Sequence, residues 1–122
     1  MKVLHIISSG GMYGAEAVIL NMSRVLNEAG HQSVLGVFSN LSKLNLQLHE
    51  RALMESIESR LIPCKGQIDR SAIARIRELV RQAKVDVVHA HGYKADIYVY
   101  FALRGMRVPF VSTCHNWIED NP

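Results

Sequence analysis

The chain is poor in cysteine, proline and tryptophan, with 2, 3 and 1 of them among 122 residues. Cys64 and Cys114 form no CxxC pair, so neither a disulfide framework nor a paired-cysteine zinc or redox motif holds the fold. Long apolar runs are also missing: "IYVYFAL" is seven residues, against the ~20 that a membrane-crossing helix needs. The start has one Lys and a short strand-like run before Ser8 and Ser9, too short for the apolar centre of a secretion signal. Reduced thiols and a cytoplasmic location, at or near the inner face of the membrane, are therefore the expectation.

Charge of one sign is not concentrated either. The formal charge is +3 with a pI near 9.1, but the basic residues alternate with acids, as in "DRSAIARIRELVRQAK". A nucleic-acid surface would gather them in a stripe with aromatics between, so no nucleic-acid partner is expected. The basic excess suits an anionic substrate or an anionic membrane face. Residues 39–47 offer basic and apolar groups for peripheral membrane contact, but their mixed periodicity defines no amphipathic face.

What is present is an alternation of two patterns. At 48% apolar and 20% charged the composition is that of an ordinary globular domain, and the length suits one domain over residues 1–122. Val3 to Ile7 forms an apolar run of strand length, the mark of a strand buried on both faces. Apolar positions 15, 18, 22, 25, 26 and 29 then follow helical spacing, with Gly30 as the stop. "SVLGVF" (33–38) predicts a second strand, and residues 47–58 a helix after a loop. "RLIPC" predicts a third strand that Pro63 helps to end. A helix capped by Asp69 or Ser71 follows, with Ala72, Ile73, Ile76, Leu79, Val80 and Ala83 as its apolar face. "VDVVHAH" is the fourth strand. Residues 94–104 form a helix apolar almost all round, expected to be buried or to face a partner, and "PFVSTCH" is the fifth strand.

This order implies a parallel sheet of about five strands between two helical layers. Ligands of such sheets bind beyond the carboxyl ends of the strands. That rule selects the loop 8–14, the "HAHGYK" tip after the fourth strand and the "CHNW" tip after the fifth.

The first loop, "SSGGMYGAE", joins a strand to a helix N-terminus, where backbone N–H groups and the helix dipole favour an anion. Ser9, Gly11 and Gly14 stand where a dinucleotide fingerprint has its three glycines, with Gly10 beside them. The end of the second strand, "VFSN", has no acid to hold a ribose, which disfavours a nicotinamide cofactor, and no Lys-Ser or Lys-Thr follows the glycines to make a P-loop. A phosphate cradle and a plain tight turn both remain open. Glu16, in the first helical turn, also complements the helix dipole.

His89 and His91 share one face of their strand. A metal there would need a third ligand, which Cys114 or His115 of the neighbouring strand could supply. The alternative is a buried His89 that holds the sheet, with a hydrogen-bonded His91 at its rim. His5 reads as a satisfied core histidine. His115 can exchange a proton near neutral pH, and Asn116 and Trp117 offer an amide and an apolar face to a sugar ring.

The motifs "HIISSGGMYGAE", "IPCKGQID", "DVVHAHGYKAD" and "STCHNW" occur in one order and cover nearly the whole chain. Together they resemble the N-terminal half of family 4 glycosyltransferases, retaining enzymes of the GT-B fold in which two Rossmann-like domains face each other across a cleft. The resemblance implies one half of a GT-B fold, a Rossmann-like three-layer sandwich that mainly binds the acceptor. Gly10, Gly11 and Gly14 would approach the donor diphosphate. His115 would be catalytic, beside the transferred sugar, and Tyr13, Glu16, His91, Tyr93 and Asn116 would serve the acceptor. The partners implied are a nucleotide diphosphate sugar as co-substrate and a cell-surface polysaccharide or lipid-linked glycan as acceptor, with no cofactor and no metal. The C-terminal donor-binding domain of such enzymes has no counterpart in these residues, so this chain alone is expected to be inactive. The competing expectation is a non-catalytic Rossmann-like module that binds a small phosphorylated ligand.

Overall fold

A computed structural model describes residues 1–40, 45–66 and 68–113. Five strands alternate with four helices: β1 (Lys2–Ile7), α1 (Gly14–Glu28), β2 (Gln32–Asn40), α2 (Gln47–Met54), β3 (Glu58–Cys64), α3 (Arg70–Ala83), β4 (Val87–His91), α4 (Tyr93–Ala102) and β5 (Phe110–Thr113). The sheet order is β3-β2-β1-β4-β5, and every pairing is parallel. The chain thus starts in the middle of the sheet, winds to one edge and returns to build the other half. This is the expected Rossmann-like three-layer α/β sandwich.

The strand period of two separates the core into two halves. Leu4, Ile6, Val34, Phe38, Val88 and Ala90 face α3 and α4, where they meet Ile76, Val80 and Val99. Ile7, Leu35 and Val37 face α1 and α2, against Ile19, Leu20, Leu48 and Ala52. Burial of each large aliphatic side chain stabilises the fold by about 1.5–3 kcal/mol. Gly36 lies in the centre of β2, where a Cβ would stand 2.7 Å from Ile6 Cδ1 and 3.0 Å from Ile62 Cδ1.

Several elements differ from the sequence expectation. β2 runs on to Asn40, two residues past "SVLGVF". α2 ends at Met54, because Ser56 takes a positive φ of 60° and the chain turns so that Ile57 is buried outside the helix. β3 ends at Cys64, as "RLIPC" has it, but begins two residues earlier at Glu58, and Pro63 pairs within it. β3 is an edge strand, where a missing N–H costs no ladder bond on the open side.

α1 buries Glu16, Ile19, Leu20 and Ser23, whereas Val18 and Val25 of the expected apolar face are exposed. The helix face is set by Ile19 and Leu20, which pack into the core and were not on the expected face; Glu16, on the same side, bonds the preceding loop. α4 buries Ala95, Tyr98, Val99 and Ala102 but leaves Ile97, Tyr100 and Phe101 exposed, so it is not enclosed all round. The expected face of α3 is the observed one, and Asp69 is its cap, accepting from Ser71 N–H at 2.9 Å and Ala72 N–H at 3.3 Å. The Asp69 carboxylate also accepts from Lys65 N–H at 2.8 Å. The Ser71 hydroxyl bond, aided by these backbone donors, pulls Asp69 down to about 2.

Candidate functional site

The parallel order brings the ends of β1, β2, β4 and β5 to one edge, and the first loop crosses it. That loop is built rather than loose. The Ser9 hydroxyl lies 2.8 Å from Glu16 Oε2 and 3.0 Å from the Gly11 carbonyl, and Tyr13 N–H donates to Glu16 Oε1 at 3.1 Å. From outside, Asn45 donates to the Gly10 carbonyl at 2.9 Å, and Gln47 accepts from Met12 N–H at 3.2 Å. Gly11 is buried with a φ of 149°. Gly10 and Gly14 are exposed, with open space where a Cβ would stand.

The next tip is Asn40, at the end of β2. It takes the place that an acidic residue has in dinucleotide-binding folds, yet it serves the edge itself. Its amide donates to Ser8 Oγ at 3.1 Å, and its carbonyl accepts from Lys94 Nζ. Lys94 stands in the first turn of α4, with its ammonium 5.0 Å from the centre of the Phe38 ring. A cation in a first helical turn opposes the helix dipole; cation–π attraction and the Asn40 bond offset that cost. Lys94 thus puts a positive charge at this edge beside the N-terminus of α4, a place suited to an anion, while the Glu16 carboxylate occupies the N-terminus of α1 and Asp96 shares the first turn of α4. Ser8, Asn40 and Lys94 were not singled out from the sequence. Lys94 lies within "HAHGYK", and its position was the available signal.

Tyr13 and Tyr93, 72% and 65% exposed, begin α1 and α4 on this same edge. Glu16 and His91 are buried, beneath the edge rather than on it. Gly92 links β4 to α4 with φ 93° and ψ 171°, and its N–H donates to the Thr113 carbonyl at 2.9 Å. Cys114, His115, Asn116 and Trp117 lie outside the described residues.

The histidines are arranged otherwise than expected. His91 is buried and His89 half-buried, the reverse of the expected order, because His91 points into the sheet face beneath the first loop. Among the described residues, the third member of their group is His5; Cys114 and His115 lie outside them. His5 Nδ1 is 3.2 Å from His91 Nε2, and the His89 and His91 rings stack at 3.9 Å. His5 is not fully satisfied, since its Nε2 is buried without a hydrogen-bond partner among the described residues. Burial, reinforced by His89, pushes its pKa down to about 4, so the ring is neutral near pH 7.

A groove of about 950 Å³ runs along α3 beside the edge strand β3, away from this edge, lined by Lys2, Glu58, Arg60, Arg75 and Glu78 among others. Its mixed charges select no ligand class. Among the described residues, no helix is long and apolar enough to cross a membrane.

A glycosyltransferase from Rickettsia africae ESF-5 has a similar fold, with a TM-score of 0.73 and 16% identity over 91% of this chain and 28% of its own. MurG from Acinetobacter baumannii is similar over 93% of this chain and 34% of its own, with a TM-score of 0.67 and 17% identity. At these identities the likeness is one of fold, and the chain spans about a third or less of either relative. No curated protein matches the sequence. The family model for glycosyltransferase family 4 matches residues 12–122, from within the first glycine loop onward. By that match the chain belongs to glycosyltransferase family 4.

Proposed function

We propose that this chain is the acceptor-side half of a retaining glycosyltransferase. The whole enzyme transfers a sugar from a nucleotide diphosphate sugar to a cell-surface polysaccharide or a lipid-linked glycan. The observation that carries this reading is the edge at which Ser8, Asn40 and Lys94 are linked beside the N-termini of α1 and α4, in a chain of this family. A second, donor-binding domain completes the cleft. The share of the structural relatives left uncovered, with 28% and 34% matched, leaves room for one.

In this reading Gly10, Gly11 and Gly14 bring the loop backbone near the donor diphosphate. Charge that develops on the leaving nucleotide is stabilised by helix N–H groups and by Lys94, which cost no reorganisation because they are held in place beforehand. Tyr13 and Tyr93 offer exposed rings to the acceptor, with Asn116 as a further polar contact. Glu16 and His91 support that surface from beneath. His115 stands by the transferred sugar and acceptor hydroxyl, where an imidazole can handle a proton near neutral pH. No cofactor is needed, since the nucleotide sugar is itself a substrate. The enzyme works in the cytoplasm, at or near the inner face of the membrane.

The test is a transfer assay on the protein carrying its donor-binding domain, against a panel of nucleotide sugars. Transfer from one of them, lost in His115→Ala while donor binding persists, is the expected result. Unchanged transfer in that variant removes His115 from the site. Turnover by residues 1–122 alone overturns the two-domain reading.

A further inference from the structure

Beneath the candidate edge, three imidazoles meet in one place. His5 comes from β1, and His89 and His91 from β4, where the register pairs His5 with His89 and Ile7 with His91. Alternation along two adjacent parallel strands puts all three rings on the same face of the sheet. Each ring can offer one nitrogen such that the three lie within 4.8 Å of one another. We propose that His5, His89 and His91 form a transition-metal site of the type that takes Zn²⁺ through imidazole nitrogen. The inference goes beyond the proposed function, which assigns these rings no ion.

The donor set has the right chemistry. Neutral imidazole suits Zn²⁺ and its neighbours in the first transition row. Three nitrogens at Zn–N distances of about 2.0–2.1 Å in a tetrahedral arrangement lie roughly 3.3 Å apart. The 3.2 Å between His5 Nδ1 and His91 Nε2 matches that spacing, and the full set, within 4.8 Å, would have to draw in around the ion.

His89 has an outer partner of the kind found on metal-bound histidines. Its Nε2 is 2.7 Å from Thr113 Oγ1 on β5; donation to that hydroxyl sets the tautomer and leaves Nδ1 as the ligand atom. His5 supplies the independent observation, since its Nε2 is buried and without a hydrogen-bond partner among the described residues. An orphaned polar atom of this kind destabilises the cluster as it stands.

Three protein ligands leave a fourth position for water or another donor. The placement supports a structural role: an ion here ties β1 to β4, and through Thr113 to β5, directly behind the glycine loop and the Gly92 tip.

The experiment uses the chain stripped with a chelator and then dialysed free of it. Zn²⁺ is titrated calorimetrically, and Co²⁺ is followed by its visible ligand-field absorption. The expected result is one equivalent of Zn²⁺, a rise in Tm, and a low-coordinate Co²⁺ spectrum. His89→Gln, at a half-buried position that tolerates the change, should weaken binding about tenfold or more, and Thr113→Ala should weaken it to a smaller degree. The double variant His31→Gln, His49→Gln lies outside the cluster and should bind as the parent does. Absence of stoichiometric uptake, or uptake unchanged in His89→Gln, overturns the proposal.

Discussion

The Ser9 hydroxyl donates to the Glu16 carboxylate at 2.8 Å, across the loop that joins β1 to α1. The other carboxylate oxygen accepts from Tyr13 N–H at 3.1 Å. A single buried side chain thus closes the glycine loop onto its own helix, and the residue that looks like a dipole partner in sequence acts as an internal tie.

Glu16→Ala should therefore destabilise the domain by about 1–3 kcal/mol, since it removes charge-assisted bonds, leaves the Tyr13 N–H unpaired and leaves the Ser9 hydroxyl with Gly11 alone. Urea denaturation measures the loss. Faster amide exchange confined to residues 9–13 would locate it. Glu16→Gln, which keeps the shape and one accepting oxygen, should fall between parent and Ala.

At Gly92 the φ of 93° with ψ 171° lies in a region that is essentially glycine's own. Gly92→Ala is expected to cost about 1–3 kcal/mol and to weaken the Gly92 to Thr113 bond. Gly10→Ala, where a Cβ would meet nothing within 4 Å, should stay within about 0.5 kcal/mol of the parent. Thermal denaturation of the two variants side by side distinguishes backbone strain from mere loss of glycine.

Gly36→Ala is a packing test. The added methyl would meet Ile6 Cδ1 at 2.7 Å and Ile62 Cδ1 at 3.0 Å, so the ends of two buried side chains must move. A loss of about 1–3 kcal/mol is expected. Ile62→Val in the same chain should recover part of it, and a double-mutant cycle reads the coupling.

The Asp69 cap makes a pH-dependent prediction. Its pKa is lowered from 3.8 to about 2 in the folded chain, so the unfolded state binds the proton more readily between those values. The cap's contribution is present above about pH 4 and is lost as the pH falls through about 2. The Tm difference between the parent and Asp69→Ala should be constant at neutral pH and shrink between pH 4 and pH 2. A difference that persists unchanged at pH 2 would contradict this origin.

Much of the fold is readable along the chain because both periods are local. Val3–Ile7 and Val87–His91 read as buried strands, and the α3 face from Ala72 to Ala83 follows from spacing alone. Where local rules fail, a tertiary partner decides. α1 leaves Val18 and Val25 exposed because Ile19 and Leu20 pack against the sheet, and Glu16 on that side meets the loop before it. Pro63 survives inside β3 because β3 forms an edge, and strand order is not a local property. Tyr13 and Tyr93 fall on the expected edge, but His91 lies beneath it. His115 and Asn116 lie outside the described residues.

The sequence by itself determined the alternation of strand and helix, the glycine-bearing first loop and the ordered motifs of a glycosyltransferase half-domain, since these depend on neighbours a few residues apart. Only the tertiary structure decided that Ser8, Asn40 and Lys94 join at one edge and that His5 meets His89 and His91. The physical reason is the winding of the sheet: parallel crossovers place β1 between β2 and β4, so contacts form between residues separated by 32 to 86 positions. Periodicity records which face a side chain takes, not which strand lies beside it.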